Sequence, residues 1–227
     1  MENESLTQRE DYLQWIVAGM LGLLGLAAYV FWATNKPAAT SRVTSTLAHL
    51  KDIDTALFLY AGDHNDRLPA ADKTGRAFTN SNEAFRALFV EGYLKPDAES
   101  VFSVYGGPAK VDEVTGAPPD FTRALEPGEC HWAMVKGGSY SQSGPLVWEN
   151  SASGGWNPVW DPRLEHDRPG GTWSGGRVIL LTAGHAVKTY KLADPKAPSR
   201  IEDLGGGGKN IFTQAGPHEA VDPVGLR

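Results

Sequence analysis

The sequence predicts an α+β fold: an N-terminal transmembrane helix, then an amphipathic helix packed on a small antiparallel sheet, with many loops between. Three observations predict it. Residues 13–33, LQWIVAGMLGLLGLAAYVFWA, carry no charge. Residues 43–61 repeat apolar side chains on a three-and-four spacing. Short strand-like apolar runs follow residue 130, the last two separated by Gly184-His185.

Residues 1–12 make a short tail. At 1.5 Å per residue the run 13–33 just crosses a hydrocarbon core of roughly 30 Å. Tyr12, Trp15, Tyr29 and Trp32 lie near its ends, as interfacial belts do. Gly19, Gly22 and Gly25 recur every three residues. That spacing either opens a groove where another helix approaches, or reflects the commonness of glycine in membrane helices. A cleaved signal peptide has a shorter apolar part and a positive start. Here the start, MENESLTQREDY, is acidic, so a permanent anchor is expected. Lys36, Arg42 and Lys51 outnumber Arg9 across the run, and positive-inside counting puts the large domain in the cytoplasm.

Residues 34–42 are a polar break. In the helix expected over 43–61, Val43, Leu47, Leu50, Leu57 and Ala61 form a stripe on which Asp54 is the only polar member. Ile53, Phe58 and Tyr60 widen it, and Gly62 with Asp63-His64-Asn65-Asp66 stops it. A second helix is expected over 82–94, with Phe85, Leu88 and Phe89 on its apolar face and Gly92 at its end. Residues 95–130 read as a long irregular loop. Strands are expected over 131–135, 145–149, 177–183 and 186–192. Gly184-His185 has two-residue hairpin spacing, with Gly184 able to take a positive φ. The glycines 205–208 read as a flexible joint. The tail after them has too little apolar content to fold alone, and is either loose or pinned to a partner.

Composition excludes several functions. The net charge is −6 and no basic face is visible, so nucleic acid is not an expected partner. A single cysteine, Cys130, rules out an intrachain disulfide and reads as a small buried apolar residue. The histidines lack zinc-hydrolase spacing, and GxSxG, GxGxxG and Walker loops are missing. No cofactor is expected. Asp63, Asn65 and Asp66 are the best metal candidates, as oxygen ligands for calcium; turn chemistry after a helix is the favoured reading. Glu165-His166-Asp167 reads as a solvated loop. Trp132, Trp148, Trp156, Trp160 and Trp173 lie close in sequence. They either anchor a glycine-rich loop or, at Trp156, Trp160 and Trp173, form an interaction surface.

Two stretches carry a resemblance. HLKDIDTALFLYAGDHNDRLP (49–69) and GGRVILLTAGHAVKTY (175–190), the latter preceded by PLVWEN, resemble the type IV pilin-like and type II secretion pseudopilin-like proteins. They are most similar to the bacterial group that ends in an H…DG-type motif. The resemblance implies a pilin-like domain over 43–204, standing on the periplasmic side of the bacterial inner membrane, against the positive-inside count. Two departures matter. The entry DYLQWIVAGMLGLL lacks the family's prepilin cleavage glycine and its glutamate. Ala183 stands where the family has aspartate, which leaves His185 a hairpin residue rather than a base.

The expected function is therefore non-enzymatic. The chain reads as a single-pass, membrane-anchored structural subunit whose periplasmic domain docks on a larger secretory, respiratory or photosynthetic assembly. Its expected partners are membrane lipid and other membrane subunits, met through the glycine groove and the periplasmic face. The alternatives are a minor pseudopilin of a secretion or pilus machine and a tryptophan-based carbohydrate-binding module.

Overall fold

The structure, a computed structural model, describes residues 20–26, 29, 39–205 and 207–226. The chain divides into two compact units, 1–42 and 43–227. In the first, residues 20–26 are helical, and Met20, Leu21, Leu23, Leu24 and Leu26 are each at least 60 % exposed. The expected transmembrane helix is corrected here: among the described residues no helix is long and apolar enough to cross a membrane. The run 20–26 rises about 10 Å, a third of a hydrocarbon core. The rest of 13–33, apart from residue 29, lies outside the described residues, as does Gly19. Gly22 and Gly25 have no neighbour within 4 Å of where a Cβ would stand.

The α+β class with an antiparallel sheet stands. Helix α1 spans Ala39–Asp63. Leu50, Ile53, Ala56, Leu57, Tyr60 and Ala61 are buried along one face, as the three-and-four spacing predicts. Gly62 lies inside the helix rather than ending it. The stop comes at Asn65 and Asp66, both left-handed (φ 54° and 61°), where the Asp66 amide closes on the Ala61 carbonyl at 2.8 Å. The His64 ring stacks on Tyr60 and its Nε2 reaches Glu91 at 3.1 Å. Helix α2, Ser81–Val90, is capped by Asn80, whose side chain accepts from the Glu83 amide. Gly92, at φ +83°, lets the Tyr93 amide turn back to the Leu88 carbonyl. A 3₁₀ helix, Pro96–Phe102, follows.

The sheet contains β1 (Trp132–Val135), β2 (Pro145–Glu149), β3 (Arg177–Thr182), β4 (Val187–Lys191) and β5 (Ala220–Val221). Its order is β4-β3-β2-β1-β5, every pairing antiparallel. Strands β1 and β2 are buried on both faces. Register puts Trp148 beside Ala133 on one face and Trp132 beside Glu149 on the other. Trp132 donates to the Val101 carbonyl of the 3₁₀ helix. Trp148 packs edge-on against Trp156 and Phe212. Edge strand β4 exposes Lys188 and Lys191, charges that discourage pairing with another chain.

Two expectations change. The tail is not an appendage. Leu204 and Lys209 join across the glycine run, Asn210 caps a short helix α3 (Ile211–Ala215), Phe212 is fully buried, and β5 closes the sheet on β1. The β3–β4 hairpin has a three-residue loop, not two. The His185 amide bonds to Thr182 and the Thr182 amide to Ala186. The residue at positive φ is His185, at 58°, a position usually given to glycine.

Candidate functional site

Asp54, Tyr140 and His185 meet at the tip of that hairpin. Helix α1 supplies Asp54, the loop after β1 supplies Tyr140, and the β3–β4 turn supplies His185. The Tyr140 hydroxyl donates to Asp54 Oδ1 at 2.7 Å, and His185 Nδ1 lies 3.1 Å from the same oxygen. The Tyr140 and His185 rings stack at 4.5 Å. Phe58, one turn along α1, stands edge-on to both. Asp66 holds the tyrosine's loop, accepting from the Ser139 hydroxyl and from the amides of Tyr140 and Ser141. Hydrogen bonding from the Ser139 and then the Ser141 side chain, with the two amides adding to it, pulls its carboxyl down to about 2. Burial, and then Asp54, push the Tyr140 phenol far above its usual range, so it stays a neutral donor.

The expectation that His185 lacks a carboxylate is thus corrected: Asp54, supplied by α1, stands beside its ring. The His185 side chain is nearly half exposed, and neither the cleft along α2 nor the cleft at Asn150 is lined by any of the three residues. The cluster braces α1 against the hairpin. Tyr140→Phe keeps the ring stack and removes one charge-assisted hydrogen bond, with an expected loss of about 1–2 kcal/mol. His185→Gly loses a half-exposed contact with Asp54 and the stack on Tyr140 but relieves a left-handed backbone, so its stability should stay within about 1 kcal/mol of the parent. Urea midpoints check both; a reversed ranking would mean that His185, not Tyr140, carries the brace.

A second cluster is fully buried. Asn150 Nδ2 lies 2.8 Å from His131 Nδ1, while Asn150 Oδ1 accepts from the Gly170 amide. The amide is therefore oriented, and His131 Nδ1 is the acceptor. His131 Nε2 is 3.6 Å from Glu149 Oε1. That oxygen also accepts from Trp173 Nε1 at 2.7 Å, and Glu149 Oε2 accepts from the Ile179 amide. Trp160 Nε1 donates to the Asn150 carbonyl at 3.0 Å. These bonds pin the glycine-rich loop to the ends of β1, β2 and β3.

A third cluster joins Glu99, Asp112 and Glu129. Burial is the main cause that raises Glu99 and pushes Glu129 up to about 7.

The expected site residues mostly go elsewhere. Asp63 accepts from the Tyr93 hydroxyl and Asp66 serves the 139–141 loop. Trp160 and Trp173 are buried at 0 % and 5 % exposure, which makes them core anchors and leaves only Trp156 partly accessible. His166, expected in a solvated loop, stacks on Trp173 at 4.1 Å. Cys130 is buried as expected, and burial pushes its thiol up to about 12. One signal for the Asp54 cluster was visible: a single carboxylate on an otherwise apolar stripe. No family model, curated protein or solved structure matches the chain.

Proposed function

We propose that the chain is a non-enzymatic structural subunit that docks on a larger protein assembly, with residues 43–227 forming a pilin-like domain. The observation that carries this reading is the exposed apolar surface of residues 20–26 and 29, where Met20, Leu21, Leu23, Leu24, Leu26 and Tyr29 are each exposed by 60 % or more. Burying a large apolar side chain stabilises by about 1.5–3 kcal/mol, so a matching apolar surface on a partner would gain a great deal from covering them. Uncovered patches of this kind mark interaction sites.

Two further points support docking over turnover. The Asp54, His131 and Glu149 clusters spend their polar groups on bonds that hold the domain together. The resemblance of residues 49–69 and 175–190 to pilin-like proteins supports an extracytoplasmic accessory role. A sugar platform on three tryptophans loses support, because the indoles of Trp160 and Trp173 lie in the core.

The test is purification of the full chain in mild detergent, followed by cross-linking and identification of subunits in fixed ratio to it. Leu21→Ser with Leu24→Ser should abolish that association and leave thermal unfolding of the domain unchanged. A chain that emerges alone and monomeric sinks the proposal.

A further inference from the structure

Glu99 sits on the 3₁₀ helix, Asp112 in the long loop after it, and Glu129 three residues before β1. One carboxylate oxygen from each lies within 4.8 Å of the other two. Three points so spaced have a common centre no more than about 2.8 Å from each, within a few tenths of an ångström of the roughly 2.3–2.6 Å that Ca²⁺ takes to oxygen. Mg²⁺ demands near-ideal octahedral geometry and gives up its water reluctantly, so three loop carboxylates suit it less well than the more adaptable Ca²⁺.

Crowding alone is weak evidence, since carboxylates often gather on loops. The second observation is Glu99 itself. Its residue is 0 % exposed. Oε1 accepts from the Leu125 amide at 2.6 Å; the Glu113 amide also lies near the carboxyl, but buried Oε2 has no partner at hydrogen-bond geometry. A buried carboxylate oxygen without a donor is costly, and it belongs to the residue that completes the acidic triangle.

The remaining contacts leave the triangle open to a cation. Glu129 accepts from two backbone amides, Asp112 at 3.2 Å and Glu126 at 2.5 Å. Asp112 accepts from the Val114 amide at 2.8 Å and from Arg123 Nη2 at 3.3 Å. Arg123 is half exposed and also reaches Glu126. Arg86, the other nearby cation, gives its hydrogen bonds to the carbonyls of Ala124 and Leu125 rather than to a carboxylate. The donor set is all oxygen, and thiol and imidazole ligands are missing from it. That chemistry selects a hard divalent ion.

We propose that Glu99, Asp112 and Glu129 form a Ca²⁺ site that ties the 3₁₀ helix and the long loop to the base of β1. The site is independent of what the domain docks on. Three protein carboxylates, with water completing the shell, suit the weak affinity of extracellular modules, a Kd of roughly 10⁻⁴–10⁻³ M.

The full chain, freed of metal with EDTA and dialysed, is titrated with CaCl₂ by calorimetry, and its thermal unfolding is followed with and without about 5 mM CaCl₂ or MgCl₂. One Ca²⁺ per chain and a raised Tm are expected, with a clearly smaller shift from Mg²⁺. Glu129→Gln should weaken binding at least about tenfold. Asp112→Asn, at a half-exposed position where folding is not at risk, should do the same. Absence of both heat and Tm shift in the parent overturns the site, as does an Asp112→Asn chain that binds Ca²⁺ with parental affinity.

Discussion

Trp160→Ala is expected to cost the domain about 3–5 kcal/mol, the usual range for removing a buried tryptophan. Trp160 is fully buried, its ring lies 6.3 Å from Phe212, and its indole N–H satisfies the Asn150 carbonyl. The substitution therefore opens a large cavity and orphans a buried acceptor at once. Its own backbone also bridges to Ser199, so the glycine-rich loop loses its anchor from both sides. Domains of this size hold a margin of about 5–15 kcal/mol, and a loss on that scale consumes much of it. Urea unfolding with an unchanged slope gives the number. A shift below about 1 kcal/mol would show that the loop is held without the indole.

Removing residues 209–227 should be worse. The truncation deletes α3 and β5, takes Phe212 and Val221 out of the core, and leaves Met134 and Val135 without their strand partners. It also frees the Ser81 amide from Asp222 and the Gly128 amide from Val224. Two lost core side chains and several unpaired backbone groups together cost about 5 kcal/mol or more. The expected product is insoluble, or compact without fixed packing, and near-UV circular dichroism reads the difference. A soluble fragment with the parent's cooperative transition would show that the tail only decorates the sheet.

These residues also mark where sequence reasoning stopped. Helix α1 was legible because burial on one face of a helix imposes a period, and its apolar residues keep that period. Strands β1 to β4 were legible as short apolar runs between glycines and prolines. Strand β5 was not, since a two-residue ladder owes its existence to the strand it meets and leaves no pattern of its own. The tail hid for the same reason: Phe212 lies in a mostly polar stretch, and only its packing on Trp148, Trp156 and Trp160 gives it weight.

The site was half legible. Asp54 stood out as a carboxylate among leucines, but its partners lie 86 and 131 residues away, and sequence spacing cannot bring them to it. The hairpin at Gly184-His185 is legible, but its left-handed residue is His185 rather than Gly184. Glycine takes that conformation at no cost, so it was the natural choice, and the stacking of His185 on Tyr140 favours the costlier one. Tryptophan 160 and Trp173 were ambiguous for a physical reason. An indole with a polar N–H serves an interface or a core equally well, and only the position of its acceptor decides.

The β1–β5 pairing sets a clock on synthesis. Strand β1 leaves the ribosome long before residues 220–221 exist, so Met134 and Val135 must wait with an open edge while the intervening loops, β2, β3 and β4 are made. Contacts so distant in sequence form slowly, and an unpaired apolar edge is prone to capture by another chain in the interval. Until the tail pairs with it, the β1 edge offers the apolar run Trp132–Val135, with a lysine only at its end, Lys136, whose amide goes to Glu219 in the folded domain. The domain's yield in a cell should depend on how quickly the tail arrives.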